Sequence, residues 1–254
     1  MSAPRDQHFL IDKRAIERVA TVIDVKDRRV LEIGPGTGNL TRALLKHGGI
    51  VIAVEIDPLL YDDLEAEFAQ EIAEGRMELL LGDASRCDLP PFDAVVSNLP
   101  YSLSSKITFR LLEIGFSEAV LMYQSEFARR MFARVGSPDY GRLSVMVQTN
   151  AEVTPAFELS PGCFSPKPQV RSMVVKLVPK DPPYPLHDRR RYAEVVRVLF
   201  SHRRKTVRNG LRSARGTFDD DMIQRMLDSL PEEVLKARPE NLGLGEFARI
   251  ANIE

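Results

Sequence analysis

The sequence predicts an α/β fold: a mostly parallel sheet with helices on both faces, an antiparallel pair at one edge, and a small all-helical domain towards the C-terminal end. Three observations carry this expectation. Short apolar runs at 29–34, 50–55, 77–81, 94–98 and 119–123 alternate with helix-length segments, a rhythm that calls for right-handed crossovers and parallel strands. After Gly141 the rhythm changes, because residues 143–153 and 170–178 both read as strands with only the Pro-containing stretch 154–169 between them. Beyond 180–185, where three prolines in four positions stop any helix or strand, the remaining segments are helical.

In chain order, Gln7-His8-Phe9-Leu10-Ile11 precedes a helix with Ala15, Ile16, Val19, Ala20 and Ile23 on one face. The first strand runs into Gly34-Pro35-Gly36-Thr37-Gly38, and a helix over 39–47 stops at Gly48-Gly49. The second strand leads to a helix over 58–74, opened by Pro58 and closed by Gly75. The third ends in Gly82-Asp83, and the fourth ends in Ser97-Asn98 and is stopped by Pro100, with a helix over 104–114 behind it. A helix over 125–134 follows the fifth. Further helices are expected over 189–200, 203–214, 220–230, 231–236 and 244–250, with Asp219-Asp220-Asp221 suited to the positive end of the third of these. The domain boundaries expected are 1–181 and 182–254.

Composition narrows the class. With 44% hydrophobic and 28% charged residues in 254, the chain can bury a sizeable core and is not disordered by composition. No apolar run approaches the roughly 20 residues of a membrane helix, and the first residues carry no apolar signal segment, so a cytoplasmic protein is expected. Cys87 and Cys163 are too few for a zinc cluster or a disulfide framework and read as reduced thiols, and no metal site is expected. The net charge of −1 conceals an asymmetry: residues 189–215 hold ten basic side chains against the single acid Glu194. So one-sided a run is either a solvated helix face or a surface for a polyanion, and nucleic acid is the better match.

Candidate site residues gather at strand ends, where parallel sheets bind ligands. Glycines at 34, 36 and 38 let the backbone turn tightly and approach a ligand. The dinucleotide pattern G-x-G-x-x-G fails, because its third glycine falls on Asn39. Glu55 can accept hydrogen bonds from two ribose hydroxyls, and Asp83 can accept one from an adenine amine. The turn Ser97-Asn98-Leu99-Pro100-Tyr101 offers a side-chain amide, a carbonyl beside a proline, and an aromatic ring, a set suited to holding a planar base that bears an exocyclic amine. If the Asn98 oxygen and the Pro100 carbonyl each accept one amine N–H, they orient the nitrogen lone pair and raise its electron density.

The loop at 34–38 resembles that of class I S-adenosylmethionine-dependent methyltransferases, and Asn98-Leu99-Pro100-Tyr101 resembles the motif of amino-methylating members. More specifically, the chain is similar over nearly its whole length to the small-subunit ribosomal RNA adenine dimethyltransferases, the KsgA family. Segments 7–10, 32–38, 98–105, 140–144, 164–172 and 200–209 carry the likeness in order. The resemblance implies a class I Rossmann-like fold and transfer of methyl groups from S-adenosylmethionine, leaving S-adenosylhomocysteine, to N6 of two adjacent adenosines near the 3′ end of small-subunit rRNA. It also implies a monomer that takes part in small-subunit maturation. It gives His8, Leu10, Gly34, Gly36, Gly38, Glu55, Asp83 and Asn98 to the cofactor. Asn98 and Pro100 hold the amine, Tyr101 and Phe164 sandwich the adenine, and Arg203, Arg204, Lys205, Arg208 and Arg212 hold RNA, with Arg204, Arg208 and Arg212 sharing a helix face. One departure is Asp6, where the family usually has glycine.

Other readings are an assembly factor that has lost turnover, a nicotinamide dehydrogenase, and the large-subunit rRNA methyltransferase of macrolide resistance. The intact 98–101 turn opposes the first and the missing third glycine the second. The segments around Tyr140 and Phe164 oppose the third.

Overall fold

A computed structural model describes residues 7–254, so the departure at Asp6 lies outside the described residues. The chain enters through a two-residue strand β1 (Phe9–Leu10) and helix α1 (Lys13–Ala20), whose N-cap Asp12 accepts a hydrogen bond from the Ala15 N–H. There follow β2 (Arg29–Ile33), α2 (Asn39–Lys46), β3 (Ile50–Glu55), α3 (Pro58–Glu67), α4 (Ala69–Ala73) and β4 (Met77–Leu81). The next elements are β5 (Ala94–Asn98), α5 (Ser104–Ile114), β6 (Glu118–Gln124), α6 (Ser125–Met131) and α7 (Arg142–Asn150). Strands β7 (Ala151–Leu159), β8 (Phe164–Ser165) and β9 (Ser172–Pro179) come before five helices, α8 (Arg189–Ser201), α9 (Val207–Arg212), α10 (Asp220–Ser229), α11 (Glu232–Lys236) and α12 (Leu244–Ala251). No helix among the described residues is long and apolar enough to cross a membrane.

Seven strands form one sheet in the order β4-β3-β2-β5-β6-β9-β7. β2 pairs in parallel with both β3 and β5, β3 with β4, and β5 with β6, whereas β9 is antiparallel to β6. The central strands bury side chains of both faces (Val30, Leu31, Ile52, Val95 and Val120 are fully enclosed), which is why they read as continuous apolar runs rather than alternating ones. The separate pair β1-β8 is antiparallel, with Leu10 opposite Phe164.

The chain packs into two compact units, one reaching to Ala128 and resuming over Glu152–Pro179, the other made of Arg129–Ala151 and Lys180–Glu254. The second has its own core, with Tyr140, Tyr192, Leu199 and Phe247 buried in it. Its buried phenols are partnered: the Tyr140 hydroxyl donates to the Leu242 carbonyl at 2.9 Å, and the Tyr192 hydroxyl, like that of the half-buried Tyr184, lies 2.8 Å from Thr149 Oγ1.

Four details depart from the sequence reading. The stretch expected as a strand over 143–153 is mostly helix α7. Its residues Leu143, Ser144, Val145, Val147 and Thr149 are all buried, so its apolar pattern carries no clean period. Gln148 of this helix donates to the carbonyls of Met131 and Ala133, at 3.0 and 2.9 Å. The stretch 154–169, expected as loop, contributes most of β7, and its Pro155 is tolerated because β7 is the last strand of the sheet. The helix expected over 58–74 breaks at Phe68, whose ring is buried. The helix expected over 203–214 begins only at Val207, capped by Thr206, so Arg204 lies in the preceding turn and does not share a helix face with Arg208 and Arg212.

One buried acid gives the first unit a pH dependence. Glu32 on β2 is 2% exposed and accepts a hydrogen bond from the Thr41 hydroxyl at 2.6 Å. Burial pushes its carboxyl up to about 8, against the opposing bond from Thr41 and with a smaller push from the Glu55 charge. The unfolded chain releases this proton at an ordinary carboxylate pKa of 4.5. Between that value and about 8 the folded state therefore holds the extra proton and stability falls as pH rises, by up to about 1.4 kcal/mol per unit. Urea unfolding across this window is expected to show that slope in the native chain and to lose it in Glu32→Gln; an equal slope in both would contradict the assignment.

Candidate active site

The sheet sets the carboxyl ends of β4, β3, β2 and β5 side by side, and from them emerge Gly82-Asp83, Glu55, the loop 34–38 and Asn98. The chain turns from one side of β2 to the other at this point, so a crevice opens at the strand ends. A cleft partly open to solvent is lined there by Gly34, Gly36, Glu55, Asp83, Asn98 and Pro100 among others.

Glycine is required at two positions of the loop. Gly36 has φ +58°, and a Cβ there would lie 2.5 Å from the Phe9 ring; Gly38 has φ +70°, and a Cβ would lie 2.7 Å from the Phe68 ring. The Gly36 N–H donates to Glu55 Oε2 at 3.2 Å, while Glu55 Oε1 accepts from the N–H groups of Ile56 and Asp57 at 2.8 and 2.9 Å. Three main-chain donors thus hold this buried carboxylate, and Oε2 keeps a lone pair for a ligand hydroxyl. Asp83 Oδ1 accepts from the Ser85 N–H at 2.9 Å and the Ser85 hydroxyl at 2.6 Å. Those two bonds hold its carboxyl below the usual carboxylate range, so Asp83 is an ionised acceptor at neutral pH.

At the tip of β5, Asn98 Nδ2 donates to the His8 carbonyl at 2.8 Å. With the amide nitrogen so engaged, the side-chain oxygen is left as the acceptor. The Pro100 carbonyl accepts from the Leu103 N–H at 3.0 Å and the Ser104 hydroxyl at 3.3 Å, bonds that start the short helical turn and α5 behind it. The expectation that this carbonyl holds an amine is therefore corrected: its two lone pairs serve its own chain, and the neighbouring carbonyl at the tip belongs to Leu99, a residue of the cleft wall. The Tyr101 hydroxyl lies 2.7 Å from Ser172 Oγ, and its ring centroid is 5.5 Å from that of His8.

His8, expected at the cofactor, does line the cleft, and its Nδ1–H donates to the Pro166 carbonyl at 2.8 Å. Leu10 and Phe164 do not line it. They face each other across the β1-β8 pair, 4% and 1% exposed, and belong to the apolar core. Phe164 therefore does not sandwich a base with Tyr101 in this conformation. Gly38 likewise serves packing, against Phe68 and Leu64. The residue that sequence reasoning missed is Phe9, whose ring lies over Gly36 and lines the cleft; its place beside His8 was the only signal, and no spacing said which side chain of so short a strand turns outward.

The five basic residues singled out divide in two. Arg203 donates to Glu240 at 2.7 Å and to the Pro138 carbonyl at 2.8 Å, Lys205 to Ser213 Oγ at 2.9 Å, and Arg208 pairs with Glu232. These three are engaged by partners within the helical unit. Arg204 and Arg212 are exposed.

A glycine loop after β2, an acid after β3 and an antiparallel β9 inserted beside β6 together define the class I methyltransferase fold. The chain belongs to the ribosomal RNA adenine dimethylase family, whose model matches residues 5–247. It is 52% identical to a protein of Methanospirillum hungatei named "Probable ribosomal RNA small subunit methyltransferase A", over 99% of this chain and 98% of that one. A protein of the same name from Halobacterium salinarum is 45% identical, over 98% and 88% of the two chains. Among solved structures, a dimethyladenosine transferase from Plasmodium falciparum superposes with a TM-score of 0.78 at 28% identity, covering 96% of each chain. The 23S rRNA methyltransferase ErmE superposes at 0.66, also 28% identical, covering 96% of this chain and 99% of its own.

Gly36→Ala tests the loop. The added Cβ meets the Phe9 ring and the left-handed backbone is strained, so a loss of about 1–3 kcal/mol in unfolding free energy is expected. Adding Phe9→Ala to Gly36→Ala should return part of it; no loss in the single variant would mean that the loop is not held as described.

Proposed function

We propose that the cleft binds S-adenosylmethionine and that the tip at 98–101 presents the N6 amine of an adenosine in small-subunit ribosomal RNA to it, the protein acting as an rRNA adenine dimethyltransferase. The observation that carries this reading is the Asn98 amide, turned by the His8 carbonyl so that its oxygen is the free acceptor at the cleft. The residues present fit the cofactor. Glu55 keeps acceptor capacity for ribose hydroxyls, Asp83 is an ionised acceptor for an adenine amine, and the loop at Gly34 and Gly36 lets main chain come close. When bound, the cofactor supplies an electrophilic methyl group.

The chain's own work is orientation. The exocyclic nitrogen of adenine is a poor nucleophile because its lone pair is delocalised into the ring. Asn98 Oδ1 and the Leu99 carbonyl, in place of Pro100, each accept one N–H, which draws the lone pair out of conjugation and aims it along the cleft. The alkylated nitrogen is acidic and gives its proton to water, so no strong base is needed. Tyr101, steadied by Ser172, stacks on the base, a contact worth about 1–3 kcal/mol. The acceptor leaves its stack to enter, either flipped out or from an unpaired loop.

Family membership and the names that the Methanospirillum and Halobacterium relatives carry support an adenine in small-subunit rRNA as the target; that it is a pair of adjacent adenosines near the 3′ end is what the resemblance to the family implies. A monomer in the cytoplasm, working during small-subunit maturation, fits the same reading. The helical part, which the sequence bounds at 182–254, holds the RNA backbone through Arg204 and Arg212.

Incubation with labelled S-adenosylmethionine and unmodified small ribosomal subunits should place label in the small-subunit rRNA at two neighbouring adenosines. Binding of the cofactor without transfer would favour an assembly role, and label in large-subunit rRNA would favour the activity for which ErmE is named. Asn98→Ala is expected to slow transfer at saturating cofactor by about a hundredfold or more; normal turnover would refute the account of the amine. Arg204→Gln with Arg212→Gln should lower the slope of log K against log salt for RNA by about 1.4–1.8. An unchanged slope would put the RNA surface elsewhere.

A further inference from the structure

The cofactor cleft and the acceptor tip are joined by a side chain that touches neither. Arg110 lies on α5, the helix that starts immediately behind the tip, six residues beyond Ser104. Its guanidinium reaches the loop after β4, where Nη1 donates to the Ala84 carbonyl at 2.6 Å and Nη2 donates to the Cys87 carbonyl. That loop is a single tight curl. The N–H groups of Arg86 and Cys87 both return to the Asp83 carbonyl, at 2.8 and 2.9 Å, and the Asp83 side chain is bonded to Ser85. The Gly82 N–H donates to the Glu55 carbonyl at 2.7 Å, so the start of the curl is tied to β3. Its other end is held by Arg110, whose planar fork spans two carbonyls with charge-assisted bonds that a point-charge ammonium cannot make together.

We propose that Arg110 is a positioning residue for the adenine subsite: by clamping the carbonyls of Ala84 and Cys87 it fixes where the Asp83 carboxylate stands and so sets the preference for adenine in the cofactor. This rests on the reading of Asp83 as acceptor for the adenine amine. Gly82, Asp83 and Ala84 all line the cleft, while Arg110 does not, and its bonds are to main chain, so its side chain determines the shape of the curl and not the chemistry of the wall. With the clamp removed, the curl keeps its internal bonds but can swing about its tie to β3. Any ligand contact that depends on the direction of the carboxylate weakens first, and contacts to Glu55 and the glycine loop persist.

The test compares binding of S-adenosylhomocysteine with that of its analogue carrying hypoxanthine in place of adenine, by calorimetry, for the native chain, Asp83→Ala, Arg110→Ala and Arg110→Lys. In the native chain the adenine form binds at least tenfold more tightly, because hypoxanthine sets a carbonyl against the carboxylate. Arg110→Ala is expected to weaken the adenine form about tenfold and to leave the hypoxanthine form within about twofold, collapsing the preference. Arg110→Lys, which keeps the charge and one bond, should lie between, and it carries the same comparison if the alanine variant does not fold. The rate of transfer at saturating cofactor should stay within about twofold. Equal weakening of both forms would make Arg110 a general support of the fold and overturn the proposal, as would a native ratio in both Arg110 variants. If Asp83→Ala also kept the native ratio, the reading of the adenine subsite would fail and this inference with it; loss of preference in Asp83→Ala alone would spare that reading and refute only the role of Arg110.

Discussion

The cleft depends on how β2 and β5 part. Their paired register runs only through Val30–Ala94 and Leu31–Val95, and beyond it the buried Ser97 takes over: its hydroxyl donates to the Ile33 carbonyl at 2.7 Å and accepts from the Ile33 N–H at 3.3 Å. One side chain thus bridges β5 to both main-chain polar groups of Ile33 at the end of β2, where buried groups need such partners. The two strand ends are thereby linked at a fixed spacing. Gly34 leaves on one side and Asn98 on the other, and the crevice between them is where the donor and the acceptor meet.

The short N-terminal segment ties these two sides together. The His8 carbonyl takes the Asn98 amide, the Phe9 ring covers Gly36, and the Leu10 carbonyl accepts from Asn39 at the start of α2 at 2.9 Å. Three consecutive residues therefore contact the tip, the glycine loop and the helix that the loop starts. Pairing of β1 with β8 anchors the segment in turn, burying Leu10 and Phe164 in the apolar core. The donor side and the acceptor side owe their mutual geometry to two asparagine amides bonded to main-chain carbonyls and to one ring, a set that a shift of register by one residue would break.

Much of this was legible in the sequence. Strand-helix alternation, glycine and proline punctuation and the acids at strand ends gave the parallel sheet and the residues at its carboxyl edge, since each depends on local chemistry. What failed depends on tertiary partners. The stretch around Val145 is buried on several sides, so its pattern could not separate helix from strand. Phe164 looked available because it sits in a proline-containing segment, yet pairing with β1 turns it inward. The Pro100 carbonyl looked free because a sequence does not show that Leu103 and Ser104 fold back on it. The basic run at 189–215 looked uncompensated because Glu232, Glu240 and Asp220, which pair with Arg208, Arg203 and Arg215, come from later in the chain.

The central claim, that the tip of β5 holds an adenine amine between a side-chain and a main-chain acceptor, is tested most directly by a structure of the protein with S-adenosylhomocysteine and an adenosine-containing RNA hairpin. N6 of the target base is predicted within hydrogen-bond distance of Asn98 Oδ1 and the Leu99 carbonyl, with Tyr101 stacked on its ring. A base held by other groups, or an amine bonded to the Pro100 carbonyl with the turn at Leu103 undone, would contradict the account.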